Sequence, residues 1–253
     1  MRFLRNYRVG ISAIILLTFF SCSKKEEFVS EPISDYIPLQ TGKYITYRLD
    51  SLVFTNFGSN TEIHRYQVKH EVDQQITDNL GRPSWRVFTY IRDSAGTQPW
   101  VPNGSYFITP TAQQTELIED NLRVIKMHLP IREGFQWHGN SYMPDEPYGA
   151  SYDFSNDIDI ENWDFTYDVF ESEWTYRNQT YGDVVTVEQQ DESENAPVTN
   201  VGNYGYKNRS VEKYSKSIGL VYRQYELWEY QPNPSGTPYT TGFGITLWMI
   251  DHN

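Results

Sequence analysis

From Tyr44 onward the chain alternates apolar and polar positions with a period of two. Ile45, Tyr47 and Leu49 interleave with Tyr44, Thr46 and Arg48, and His64, Tyr66, Val68, His70 and Val72 interleave with Arg65, Gln67, Lys69 and Glu71. Both segments predict half-buried β-strands. Asp78-Asn79-Leu80-Gly81-Arg82-Pro83 supplies turn chemistry, after which Trp85, Val87, Thr89 and Ile91 share a face, so a hairpin is expected there. Tyr106 to Thr109, Thr115 to Glu119 and Leu122 to Leu129 continue the pattern, with Asp120-Asn121 as a two-residue turn between the last two.

After Pro130 the breakers Gly134, Gly139, Pro144, Pro147 and Gly149 predict a long loop carrying Trp137. Strands resume at Trp163, with Phe165, Tyr167 and Val169 on one side, and follow at Val184 to Gln189, Ser217 to Tyr230 and Gly244 to Asp251. Val211 to Ser217 has the spacing of a helical turn, and Asp191 to Ala196 reads as a surface excursion. No stretch of twelve residues after position 21 shows a 3.6-residue period. The expectation is an all-β chain of about ten strands, a single antiparallel sandwich or a curled barrel-like sheet. No linker or internal repeat divides it, so residues 36–253 form one domain in this reading.

The N-terminus differs. Arg2, Arg5 and Arg8 precede the apolar stretch Val9–Phe20, whose 12 residues are too few for the ~20 that span a bilayer. The segment is read as an export signal over residues 1–21. Ser21 then precedes Cys22, the single cysteine, and the polar run Ser23-Lys24-Lys25-Glu26-Glu27 follows. Leu17-Thr18-Phe19-Phe20-Ser21-Cys22 resembles the lipobox of bacterial lipoproteins. The usual pattern has Leu three before and a small residue two before the cysteine, where this chain carries Phe19 and Phe20.

The resemblance implies cleavage before Cys22, acylation of that residue and anchorage through its acyl chains, with residues 22–35 as a flexible tether. Neither Ser23 nor Lys24 is the Asp that marks inner-membrane retention in enteric-type lipoproteins, which implies the outer membrane. Lys25-Glu26-Glu27 is similar to the short tract that directs display on the cell surface in Bacteroidota-type lipoproteins. The alternatives to lipidation are an uncleaved apolar anchor or a buried free thiol, and the alternative to a display tract is a solvated tether, with the protein on the periplasmic leaflet. Three further segments are similar to a group of Bacteroidota-type outer-membrane lipoproteins: Pro38 to Gly42 with Tyr44 to Tyr47, Lys126 to Pro130 with Gly134, Trp137 and Gly139, and Tyr214 with Ile218 to Tyr222. That likeness implies an all-β lipoprotein domain and no particular chemistry.

Charge excludes one class of partner. The net charge of −12 becomes −15 once the three arginines of the first 21 residues leave, and nucleic-acid binding needs clustered cations, so no nucleic-acid partner is expected. The sequence contains no Gly-x-Ser-x-Gly elbow, phosphate loop, dinucleotide fingerprint or His-Glu-x-x-His. No cofactor and no metal are expected. His64 and His70 lie six residues apart on one strand, roughly 20 Å, too far to share an ion. Asp157, Asp159 and Glu161 alternate without a calcium-loop pattern and read as a solvated acidic edge.

The expectation is therefore a non-catalytic binding module of the cell envelope, for a glycan or another envelope or extracellular ligand. Trp100, Trp137 and Trp163 lie in or beside breaker-rich loops and form a candidate stacking platform, since sugars pack on Trp faces. Packing inside the sheet is the competing reading of the same rings. A structural or assembly lipoprotein, and a glycoside hydrolase using two of the 33 acidic residues, are the alternatives. Asp50-Ser51-Leu52 and Asp93-Ser94-Ala95 match an O-glycosylation triplet of exported proteins in some of these bacteria, which makes Ser51 and Ser94 candidate acceptors.

Overall fold

A computed structural model describes residues 28–155 and 159–253. The described chain forms one twelve-stranded antiparallel sheet with no α-helix. The first half comprises β1 (Tyr44–Thr55), β2 (Asn60–Thr77), β3 (Pro83–Asp93), β4 (Val101–Pro110), β5 (Gln114–Glu119) and β6 (Leu122–His128). The second comprises β7 (Gln136–His138), β8 (Asp164–Tyr176), β9 (Gln179–Glu194), β10 (Gly205–Ser215), β11 (Gly219–Gln231) and β12 (Tyr239–His252). Each strand pairs with its neighbour in sequence, except that β12 returns to pair with β1 and no ladder joins β6 to β7.

The sheet curls until those two edges meet, giving a nearly closed barrel. The Ile125 amide donates to the Gly139 carbonyl at 2.8 Å, and the Trp137 indole N–H donates to the Ile125 carbonyl at 2.9 Å. The Tyr167 hydroxyl lies between the two edges, accepting from the His128 amide at 3.0 Å and donating to its carbonyl at 2.8 Å. Edge strands with unpaired backbone groups invite foreign pairing, and this seam satisfies several of them.

Twelve strands replace the expected ten because two were hidden by their composition. β7 is only three residues long and sits among glycines and prolines, yet pairs with β8 from Gln136 to His138. β10 occupies the segment read as a helical turn. Its buried positions include Asn208, Ser210 and Glu212, so the apolar alternation that marks a strand is broken by polar residues that the fold places inside. β9 also runs on to Glu194, through most of the expected surface excursion. The expected Asp120-Asn121 turn is present, with φ of 50° and 64°, joining Glu119 directly to Leu122.

The two barrel ends differ. At the end holding the N-terminal segment, Ile33 and Tyr36 are buried, Tyr36 donates to Glu31 at 2.6 Å and Lys216 pairs with Glu31 at 2.6 Å. We call this end proximal. At the distal end, the loop between β7 and β8 packs Tyr148 and Tyr152 against Phe243 of β12 at 5.3 and 5.2 Å between ring centroids. Outside the barrel, the β8–β9 hairpin tip folds over the sheet, where Trp174 meets Tyr222 at 5.2 Å and Arg177 sits 4.2 Å from the Trp248 ring. Both covered rings are on the opposite face from Arg223 and Leu247, which point inward.

Candidate functional site

The barrel lumen contains two chambers. The proximal one, about 270 Å³, is walled by inward residues of β1 to β5 and β10 to β12, among them Tyr47, Val68, Val87, Ile108 and Leu247, with Ile37 and Leu39 of the N-terminal segment. An apolar cavity of about 150 Å³ is enough to take up benzene. The distal chamber, about 200 Å³, lies under the β7–β8 loop, between Leu122 and Val124 on one side and Tyr225 and Phe243 on the other. Leu117, Glu119, Lys126, Arg223 and Ile245 line both chambers and mark the boundary.

Charged residues cross the lumen at that boundary. Glu212 of β10 and Arg223 of β11 are direct cross-strand partners, so pairing alone places them together. Lys126 reaches Glu212 from β6 at 2.6 Å, the Tyr214 hydroxyl donates to Glu212 at 2.7 Å, and Arg223 Nε lies 3.3 Å from the same carboxylate. Glu212 is 1% exposed. Burial alone raises a carboxyl pKa, but the adjacent Lys126 and Arg223 charges and two hydrogen bonds outweigh it and hold Glu212 below the ordinary range. Burial lowers the Lys126 ammonium, with Glu212 opposing that shift.

Arg223 is the unusual member. Its side chain remains 23% exposed, and it lines both chambers. Nε keeps its ion pair with Glu212 at 3.3 Å without hydrogen-bond geometry, and the guanidinium carbon lies 5.0 Å from the Tyr225 ring. A guanidinium offers five donors in a planar fork suited to an oxyanion. Two cations, Lys126 and Arg223, face the buried carboxylate of Glu212 and feel the more exposed carboxylate of Glu119 at the same boundary. The centre therefore holds a guanidinium at the junction of the two chambers, balanced by carboxylates on either side.

His70 also faces the proximal chamber, ringed by Tyr47 at 5.1 Å and Tyr106 at 5.5 Å, and its Nδ1 lies 3.1 Å from the Tyr106 hydroxyl. Burial, with the charge of Arg223 second, pushes its pKa down from 6.5 to about 4. The folded form thus refuses a proton that the unfolded chain accepts, so this contribution is complete above about pH 6.5 and is lost as pH falls toward 4. Its full loss amounts to about 3 kcal/mol. Urea midpoints measured from pH 7 to 4.5 should fall with acid in the wild type and fall less steeply in His70→Gln. Identical slopes would contradict this assignment.

The three tryptophans proposed as a platform are not brought together on the surface. Trp137 and Trp163 are buried in one apolar cluster with Phe165 and Tyr167, where Trp137 stands 4.6 Å from Tyr167 and closes the seam. Trp100 is half-buried elsewhere, with the Arg92 guanidinium 4.1 Å from its ring. The seam's demand for large flat side chains explains Trp137 better than a ligand does. Trp163 does edge an open polar cleft of about 610 Å³ shared with Asp164, Gln189, Glu192 and Asn208.

Ser51 lies within β1, half-buried opposite His64 and Ile245. Ser94 follows β3, and its carbonyl accepts from Arg48 and from Gln67. His64 bonds Glu62 at 2.9 Å, on the same strand as His70 but outside its ring cage. Asp159 and Glu161 sit at a 3₁₀ turn, Ile160–Asn162, and Asp157 lies outside the described residues, as does Cys22 with the whole signal segment. Among the described residues no cluster of His, Cys, Asp and Glu has the arrangement of a metal site.

Sequence reasoning missed Lys126, Glu212 and Arg223. The signal was present: Lys126 interrupts the apolar run Val124 to Met127, and Arg223 shares its strand face with Tyr225 and Leu227. A charge on the apolar face of a strand is the readable sign of a charged lumen.

No family model matches the chain, and no curated protein matches it. Among solved structures it is similar to a Bacteroides fragilis protein named as exported with a YmcC-like fold, at 11% identity and a TM-score of 0.36, covering 85% of this chain and 98% of that one. It is also similar to a Vibrio parahaemolyticus domain named for outer-membrane lipoprotein sorting, at 14% identity and a TM-score of 0.18, covering 84% and 85%. At these scores the site's chemistry rests on this chain's own residues.

Proposed function

We propose that this protein is a lipid-anchored binding module of the cell envelope whose barrel lumen takes an anionic amphiphile, the apolar part in the proximal chamber and the anion against Arg223. The observation that carries this reading is a guanidinium that lines both chambers at their junction. Ligand sites are concavities with mainly apolar walls and few placed polar groups, and the proximal chamber has that character. Glu212 is engaged by Lys126, Tyr214 and Arg223, an arrangement suited to fixing the guanidinium.

Anchorage at Cys22 suits such a role. Ser30 accepts from the Ile131 amide at 2.8 Å and so ties the chain to the barrel. At ~3.5 Å per residue, the eight steps from Cys22 to Ser30 reach at most about 28 Å, which would hold the proximal end close to the bilayer. Decyl phosphate is the simplest probe. Calorimetric titration should give one site per chain, at least tenfold weaker in Arg223→Met, with decanol binding more weakly than the phosphate. Absence of saturable binding, or equal binding by the variant, would defeat the proposal.

A further inference from the structure

Three residues that line the distal chamber carry a buried polar atom with no hydrogen-bond partner in the fold: Asn140 Oδ1, Gln189 Nε2 and Arg223 Nε, the last of which keeps a 3.3 Å ion pair with Glu212. Asn140 is 3% exposed and Gln189 is 6% exposed, so open solvent does not serve their amides. Their other amide atoms are committed. Asn140 Nδ2 donates to the Ile160 carbonyl at 2.8 Å, and Gln189 Oε1 accepts from the Ser210 hydroxyl at 2.5 Å. The Asn140 bond is to a carbonyl, which fixes the amide's orientation and leaves Oδ1 as an acceptor facing the chamber.

Leaving a buried polar group unpaired is costly, and such groups gathered around one cavity call for a common occupant. An apolar chain fits the proximal chamber and leaves all three atoms unserved. A simple anion at Arg223 answers one of them. The remaining pair asks for a group that donates to Asn140 and accepts from Gln189, placed on the distal side of the anion. Hydroxyls do both, whereas an ammonium cannot accept from Gln189.

We infer that the distal chamber is a head-group subsite for a phosphodiester amphiphile: tail proximal, phosphate at Arg223, and a hydroxylated head beyond it bonded to Asn140 and Gln189. This rests on the lumenal reading above and adds the order of the ligand's parts. The chamber's aromatic wall, from Tyr148, Trp163, Tyr225 and Phe243, offers apolar faces against which the carbon skeleton of a small polyol can pack.

The test compares decyl phosphate with decyl phosphoglycerol on the full-length protein. Wild type should bind the glycerol ester about tenfold more tightly, the gain expected of two neutral hydrogen bonds made in a buried site. In Gln189→Met the preference for the glycerol ester should fall to about threefold, the Asn140 bond remaining, with decyl phosphate affinity at the wild-type value. The wild-type comparison stands even if that variant folds poorly. Equal affinities in wild type would overturn the subsite and mean that water satisfies the three atoms. Failure of both ligands to bind would instead overturn the lumenal reading on which the subsite depends.

Discussion

Glu212→Ala should destabilise the barrel by about 3–5 kcal/mol, more than any other single side-chain truncation at the site. The substitution leaves the Lys126 ammonium and the Arg223 guanidinium close together and without their shared counter-charge, and breaking a buried ion pair from one side costs that much because the remaining charge stays desolvated. Tyr214 also loses its acceptor. For a domain of this size each kcal/mol lowers the melting temperature by about 2–4 °C, so thermal unfolding should shift by roughly 10 °C. Removing the charges together behaves differently. Glu212→Leu combined with Lys126→Met and Arg223→Met should recover much of the loss, since replacing buried charges together by apolar residues of similar volume is often neutral. A Glu212→Ala protein within 1 kcal/mol of wild type would show that the three charges are solvated and not a sealed layer.

The second large effect concerns where the protein is found. Cys22→Ser should move it from the membrane fraction to the soluble envelope fraction while leaving its melting temperature unchanged. Each acyl methylene contributes about 0.8 kcal/mol in hydrocarbon, so two or more chains hold a protein on a bilayer effectively permanently and a hydroxyl in their place holds nothing. Labelled palmitate should enter wild type and be absent from the variant. A variant that fractionates with membranes as wild type does would contradict acyl anchorage. Decyl phosphate affinity should be equal in the two, because the lumen begins at Ile37, beyond the substituted segment.

Much of the fold is legible in the sequence. The period-two runs around Tyr47, Val68, Val87 and Leu247 are strands whose inward residues line the lumen, and the Asp120-Asn121 turn sits where two left-handed residues let adjacent strands reverse. β10 was illegible because its inward face carries Glu212, and β7 because three residues show no period. The site was less legible than the fold. Glu212 and Arg223 are close in sequence, but Lys126 lies 86 residues from Glu212 and joins it only because the curled sheet brings β6 across from β10. Asn140 sits in a breaker-rich loop whose course the periodicity does not describe. Ring size signals burial as readily as ligand stacking, and Trp137 and Trp163 are buried. Trp137 serves the seam, where its indole N–H occupies a backbone carbonyl that an edge strand would leave open.

Photo-crosslinking tests the central claim most directly, with a decyl phosphate carrying a diazirine at the tail terminus and peptide mapping after irradiation. The lumenal account predicts label on the inward residues around Ile37, Tyr47, Val87 and Leu247, suppressed by excess unlabelled decyl phosphate. Label on the outer-face rings Trp100, Trp174 or Tyr176, or label that unlabelled ligand does not displace, would contradict it.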